Sequence, residues 1–418
     1  MTAHRAITKT AAETELAAQF ASLARPEPER VEAFAAFSRQ GLPTRRNEAW
    51  HYTDLRSTMG SAAPLAPAPN AERIEAARKL VDERKRIGDV RFVTVDGRFA
   101  PELSDRAPKG VTISRDVERS SARLDAVIAL NDAFAPPGLS LTIQEGVQLA
   151  ERIEIAHCAG SDAPKAVYSA VGVTLRAGAR GRVFESFFGA DAACQRNALT
   201  EIAIGAGAGC ALTSLIDDDA GLHLESQIVK LEAGAEFNAL ALVAGGALVR
   251  RQIFAGLYGR DGRIALSGLT LLNRNRHADT TLVVEHSAPH GQSREYYKHI
   301  VADSATGVYQ GKVIVQPHAQ KTDGGMKSQA ILLSPSATMN NKPELEIFAD
   351  DVVCGHGATV GALDPEQIFY ALARGIPRGQ AEAMLLEAFG ADAIDRIDDA
   401  EVFEALNERM RAWLAARE

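Results

Sequence analysis

"LTIQEGVQ", residues 141–148, is echoed three times downstream, by "VTLRAGAR" (173–180), "IAIGAGAG" (202–209) and "VKLEAGAE" (229–236). Each copy carries two apolar residues two apart, then a glycine three residues after the second. Aligned on Gly146, Gly178, Gly207 and Gly234, the copies are spaced by 32, 29 and 27 residues. Apolar residues two apart follow the strand period. A glycine at a fixed offset marks a tight corner, where φ is positive or backbones come close. One such unit cannot bury its apolar face alone, so units of this size pile into a column. A right-handed parallel β-helix is the first reading. A β-sandwich with long connections is the second, and periodicity alone does not separate them.

Beyond these copies the strand pattern continues at irregular spacing, in "TTLVVEHS" (280–287), "REYYKHIVA" (294–302), "GVYQGKVIV" (307–315), "SQAILLS" (328–334) and "ELEIFADDVVC" (344–354). Upstream, residues 1 to about 60 read helical. "AAETELAAQFASLARPEPERVEAFAAFSRQG" (11–41) has apolar residues three and four apart, broken at Pro26 and Pro28 and stopped by Gly41. "MGSAAPLAPAPNA" (59–71) reads as a linker that neither packs nor ladders. A short helix follows, and then "RFVTVDGRF" (91–99), a hairpin turning at Asp96-Gly97. At Asp364 the period becomes helical again. "DPEQIFYALARG" has Asp as N-cap, Pro at the first helical position and Gly375 as its stop. Two further helical runs follow, the last with an apolar stripe of Val402, Phe403, Leu406, Met410, Trp413 and Leu414. That stripe packs on its own domain or docks a partner. The organisation expected is a helical and mixed region at 1–135, a β-helix core at 136–363, and a small helical domain at 364–418 closing one end of the column.

Of the 418 residues 46% are apolar, enough for a large core, and the net charge of -8 argues against nucleic acid as a partner. Cys158, Cys194, Cys210 and Cys354 are widely spaced with no C-x-x-C, which argues against a zinc knuckle or a self-contained four-cysteine site and suits a reducing cytoplasm. The N-terminus lacks the apolar core of a signal peptide, and no apolar run is long enough to span a membrane. A cytoplasmic location is therefore expected.

The chemistry-bearing stretch is "DDVVCGHGATVG" (350–361), with Cys354 and His356 two residues apart. At the end of a strand they point to one face. Thiolate and imidazole suit iron, iron–sulfur clusters and zinc, but one of each cannot close a metal shell. Taken alone, so short a motif favours the plainer reading of a small buried thiol and a hydrogen-bonded imidazole. His286 and His290 are four apart, but Pro289 forbids the helix that would align them. His299 and His318 stand alone and read as hydrogen-bonded edge residues. "GVYQGKV" (307–313) resembles a phosphate loop only faintly, with three residues between its glycines and Val313 where Ser or Thr should be. "DGGMK" (323–327) reads as a turn. Neither a G-x-S-x-G elbow nor a Rossmann fingerprint occurs.

Longer motifs say more. "EHSAPHGQSREYYKHIVADSATGVYQGKV" (285–313), "LLSPSATMNNKPELEIFADDVVCGHGATVGALDPEQIFYALARGI" (332–376), "AMLLEAF" (383–389) and "GLPTRRNEAWHYTDL" (41–55) resemble the SufB/SufD family, the scaffold proteins of the SUF iron–sulfur assembly system. Within it, "CGHGATVG" is most similar to the SufD branch. In SufB a Glu follows the motif His, where this chain has Gly357, and a cysteine precedes the "AILLS" stretch, where it has Ser328. The resemblance implies a right-handed parallel β-helix and a scaffold that is not itself an enzyme. It implies a complex with SufB and two copies of SufC, an ABC-type ATPase docking on the C-terminal helices, for which Phe369, Tyr370, Arg374 and Gly375 are the candidates. It implies no tightly bound cofactor but a transient iron–sulfur cluster shared with SufB, to which His356 and, less strongly, Cys354 contribute. The isolated chain is expected to form a homodimer. A β-helix enzyme acting on carbohydrate is the rival reading, and a partner protein with inert Cys and His is the third.

Overall fold

The computed structural model describes residues 9–119, 125–160 and 163–416, so residues 1–8 of the expected N-terminal helical region lie outside the described residues. From residue 139 onward the chain alternates between two sheets, adding one strand to each in turn. One sheet has ten strands and runs from Val353–Gly361 back to Val90–Val95 and Arg98–Phe99; the other has nine and runs from Thr338–Ile347 back to Val111–Ser114. Within the column the pairings are parallel and run in register over whole strands, as in Leu222–Leu231 against Leu248–Leu257, apart from a bulge between Gln148 and Arg152. Among the described residues, antiparallel pairs occur only at the N-terminal end. A sandwich needs antiparallel sheets, so the first reading holds: this is a parallel β-solenoid. Side chains such as Ile155, Val183, Leu212, Leu266, Val284 and Val313 fill the space between the sheets.

The corner glycines do what their spacing predicts. Gly146, Gly178, Gly207 and Gly234 have φ between 64° and 70°. Each donates its N–H to the next coil, as Gly178 does to the Ala206 carbonyl at 2.8 Å. The corner then continues without glycine. Asp261, His290 and Lys321 hold the same left-handed conformation, with φ of 62°, 64° and 62°, and make the same bond to the coil above. The apparent irregularity of the later strands is thus corrected: their corners fall 27, 29 and 31 residues apart. His290 is a corner residue with no bearing on His286.

Three further expectations are corrected. The Pro/Ala segment is no free linker: Met59 and Ala63 are buried, Leu65 bridges to Ala166, and the Ala63 N–H donates to Gln195. "DGGMK" is no turn but the start of the strand Asp323–Leu332. The C-terminal helices Arg378–Ile394 and Ala400–Ala415 do not close an end of the column. They lie along its flank, where Leu386, Leu406, Met410 and Trp413 pack on Leu240, Leu242, Leu269 and Leu271. The apolar stripe is therefore covered by its own chain, apart from the half-buried Phe403. Other local readings stand. The hairpin turns at Asp96-Gly97, Gly41 stops the helix Pro28–Gln40, and Asp364 caps Pro365–Ala373 through the Glu366 N–H.

The N-terminal region is tied to the column through "EAWHYTD". Trp50 donates its indole N–H to Asp125 at 2.9 Å and stacks under the Arg250 guanidinium, 4.4 Å from its ring centre. Thr53 donates its hydroxyl to Asp279 at 2.5 Å. No helix among the described residues is long and apolar enough to cross a membrane.

Candidate functional site

Because the helices cover the flank, the last coil is left bare. Thr338–Ile347 and Val353–Gly361 are the terminal strands of the two sheets, each paired on one side only, and most of their residues are exposed or half-buried. Cys354 and His356 lie on Val353–Gly361, opposite Gly324 and Met326 of the preceding coil. They share a face, as their spacing predicts, and that face is the inner one. Cys354 packs against the core between the sheets, while His356 is exposed because no further coil lies above it.

Gly324 makes the thiol's position possible. A Cβ there would come within 3.3 Å of the Cys354 sulfur. Burial, with Asp323 and Glu295 nearby, raises the Cys354 pKa, partly countered by a hydrogen bond from the Gly324 backbone. The thiol is therefore the resting form, and ligation to a metal would drive the proton off. Among the described residues no group of three or more His, Cys, Asp or Glu is placed to hold a metal ion. The pair is a thiol and an imidazole presented together on an unpaired edge.

Behind it stands a residue that the sequence reading missed. Ser293 and Glu295 occupy the same two inner rows one coil further in, opposite Gly324 and Met326. Glu295 is 2% exposed, and neither carboxylate oxygen has a hydrogen bond of normal geometry among the described residues. Burial pushes its pKa up to about 7, against smaller easing from Ser293 and Arg294. Some inner polar groups of deeper coils are paired: His157 sits between Thr94 at 2.8 Å and Glu185 at 2.9 Å, and Arg251 pairs with Glu225 at 2.7 Å. The signal was the strict alternation of "QSREYYKHIV", which sets Ser293, Glu295, Tyr297 and His299 on one face. It was hidden because both faces of that strand carry polar residues.

His299 is corrected from an edge residue to an inner one. It is fully enclosed, neither ring nitrogen has a partner among the described residues, and burial lowers its pKa to about 3. His318 is the exposed, hydrogen-bonded residue expected, 2.8 Å from the Ser287 carbonyl. Cys158, Cys194 and Cys210 are buried and remote from the edge; burial raises the last two thiols to about 11 and about 12. Phe369 and Tyr370 project from Pro365–Ala373 at 72% and 61% exposure, with Arg374 stacked on the Tyr370 ring and Gly375 at the helix stop.

Fold and edge together define a β-solenoid with flanking helices, ending in a bare coil that carries a thiol and an imidazole on one face. Residues 157–389 match the family model for the SUF system FeS cluster assembly, SufBD core domain. The chain is 30% identical to iron-sulfur cluster assembly protein SufD of Escherichia coli over 391 residues, covering 91% of this chain and 90% of that one. It is 24% identical to an iron-sulfur cluster assembly SufBD family protein of Synechocystis, covering 90% and 87%. It is 33% identical to the chloroplastic protein ABCI7 of Arabidopsis thaliana over 198 residues, covering 47% and 41%. The chain belongs to the SufB/SufD family and is most like SufD, which gives it a role in iron–sulfur cluster assembly.

Proposed function

We propose that the chain is a non-enzymatic scaffold subunit that works with SufB and the ATPase SufC, and that Cys354 and His356 contribute ligands to a nascent cluster at the SufB contact. The observation that carries this reading is an incomplete ligand set on an unpaired edge strand. A second subunit adding to that edge would complete the shell. A site divided between two chains can release its cargo when they move apart, and a nucleotide-driven partner bound to both could drive that motion. Phe369, Tyr370 and Arg374 offer the ATPase an exposed aromatic and cationic helix face, which suits an interface core. Iron and sulfide are cargo here, and the protein groups bind, orient and release them. A neutral imidazole serves as an exchangeable ligand. The Cys354 thiol, protonated at rest, engages only when a metal is delivered to it.

The test is to express His356→Ala and Cys354→Ser with their partners, purify the complexes anaerobically, and measure subunit stoichiometry, iron and acid-labile sulfide. We expect an intact complex in both, with cluster content falling at least about tenfold for His356→Ala and less for Cys354→Ser. Wild-type iron and sulfide in the His356 variant would mean that the imidazole is structural. Loss of the complex itself would mean that the residue acts by packing.

A further inference from the structure

The strand that carries Cys354 and His356 also borders a depression of about 490 Å³, which opens mainly on its outer face and has His356 among its lining residues. Its floor is bare backbone at Gly325, Gly355 and Gly357. A side chain at Gly355 or Gly357 would meet nothing within 4 Å, so these glycines are not demanded by crowding. Tyr296, Lys327 and Arg396 line the depression, together with Arg294, Thr359, His356 and the buried Glu295.

Charge gathers on Tyr296. The Arg396 guanidinium lies 3.7 Å from its ring centre, and the ammonium groups of Lys327 and Lys298 each lie 5.6 Å away. Two of the four local cations are matched, Lys298 by Asp392 at 2.6 Å and Arg294 by Asp323 at 2.5 Å. Lys327 and Arg396 form no ion pair among the described residues, although the field of Asp392 reaches Arg396. A ring quadrupole holds one cation comfortably. Asp392, which also accepts from the Tyr296 hydroxyl, offsets Lys298 and part of Arg396, and Lys327 is left without a carboxylate among the described residues. The helix Arg378–Ile394 packs on the strands Arg263–Leu272 and Gln292–Val301, and none of its residues lines the depression.

We propose that this depression binds a phosphate-bearing small molecule, with Lys327 and Arg396 as its anchors. Lys327 has no carboxylate partner among the described residues and Arg396 shares Asp392 with Lys298, which leaves net positive charge for an anionic phosphate. The planar guanidinium offers it a two-pronged donor and the ammonium a point charge. The glycine floor lets a flat or extended remainder of the ligand lie directly against the backbone. The depression adjoins the proposed cluster site, since His356 is among its lining residues, but its anchors lie on the outer face and phosphate binding needs neither Cys354 nor His356 as a ligand.

The probe is inorganic pyrophosphate, titrated calorimetrically into the full-length chain at low ionic strength. One saturable equivalent is expected. Lys327→Ala and Arg396→Ala should each weaken binding at least about tenfold, and the double variant should abolish it. Both side chains are exposed, so the fold should survive. Gly355→Val supplies a second line, filling the depression without changing charge, and should also abolish binding. Lys109→Ala, an exposed lysine near the other end of the column, should change nothing. No saturable binding by the wild type would overturn the proposal, as would equal binding by the double variant. So would a double variant that lowers only the affinity for SufB, since the cations would then serve a partner's carboxylates.

Discussion

At the scale of the single residue, Glu295 makes the sharpest prediction. Its pKa is raised in the fold to about 7, above the 4.5 of a free glutamate. Between those values the native chain binds a proton that the unfolded chain has lost. Folding is therefore helped most below about pH 4.5, and that help fades as pH rises through 7. The difference is about 3 kcal/mol. Glu295→Gln keeps the shape and removes the titration. Measured by urea denaturation, the variant should gain on the wild type from pH 5 to pH 8. Parallel stability curves would show that the carboxylate is solvated or paired in solution. The buried histidines act in the opposite direction. His223 and His299 are held neutral, each with its pKa lowered to about 3, so their contribution is whole above about 6.5 and is lost as pH falls towards 3.

At the scale of the element, the corners are the test. Gly207 has φ of 65° and nothing within 4 Å of where a Cβ would stand. Gly207→Ala therefore isolates the backbone cost and should lose about 1–2 kcal/mol. Lys321→Gly, at φ of 62°, relaxes the same strain and should gain up to about 1 kcal/mol, offset by the freer unfolded chain. Chemical denaturation checks both, and opposite signs are the required outcome. These corners also show why only part of the column was legible. Where glycine holds the turn, composition announces it. At Asp261, His290 and Lys321 the hydrogen bond to the next coil enforces the turn instead, as from the His290 N–H to the Gln320 carbonyl at 2.9 Å, and a residue pattern does not record such a bond. "DGGMK" misled for the converse reason. Its Gly324 answers crowding under the Cys354 sulfur in the middle of a sheet. The shared face of Cys354 and His356 was readable because it needs only the strand period. Glu295 was not, because it joins them only through pairing with residues some 30 positions away.

At the scale of the whole molecule, the bare coil governs association. An unpaired strand edge recruits another strand unless it is blunted, and this one carries Val353 at 72% and Val360 at 48% exposure. We expect the isolated chain to dimerise through it and SufB to displace one copy. Light scattering should give a dimer at micromolar concentration and a monomer for Val360→Lys, whose charge cannot enter a paired edge. A strictly monomeric wild type would sink the homodimer and leave the SufB contact to be tested by co-purification. The purified chain should also turn over no ATP, since its nearest approach to a phosphate loop is part of the strand Thr306–Val315. Activity that stays with the protein after any SufC is removed would overturn this.

The flank-bound helices bear on how the chain is made. On the ribosome each new coil finds its template in the one just completed, so the column can grow in the order of translation. Its apolar flank, Leu240, Leu242, Leu269 and Leu271, is finished well before residues 381–414 emerge to cover it. A chain that stops early thus leaves an oily strip exposed along an otherwise complete column, the kind of surface that chaperones and proteases recognise. Docking of these helices marks the flank as closed.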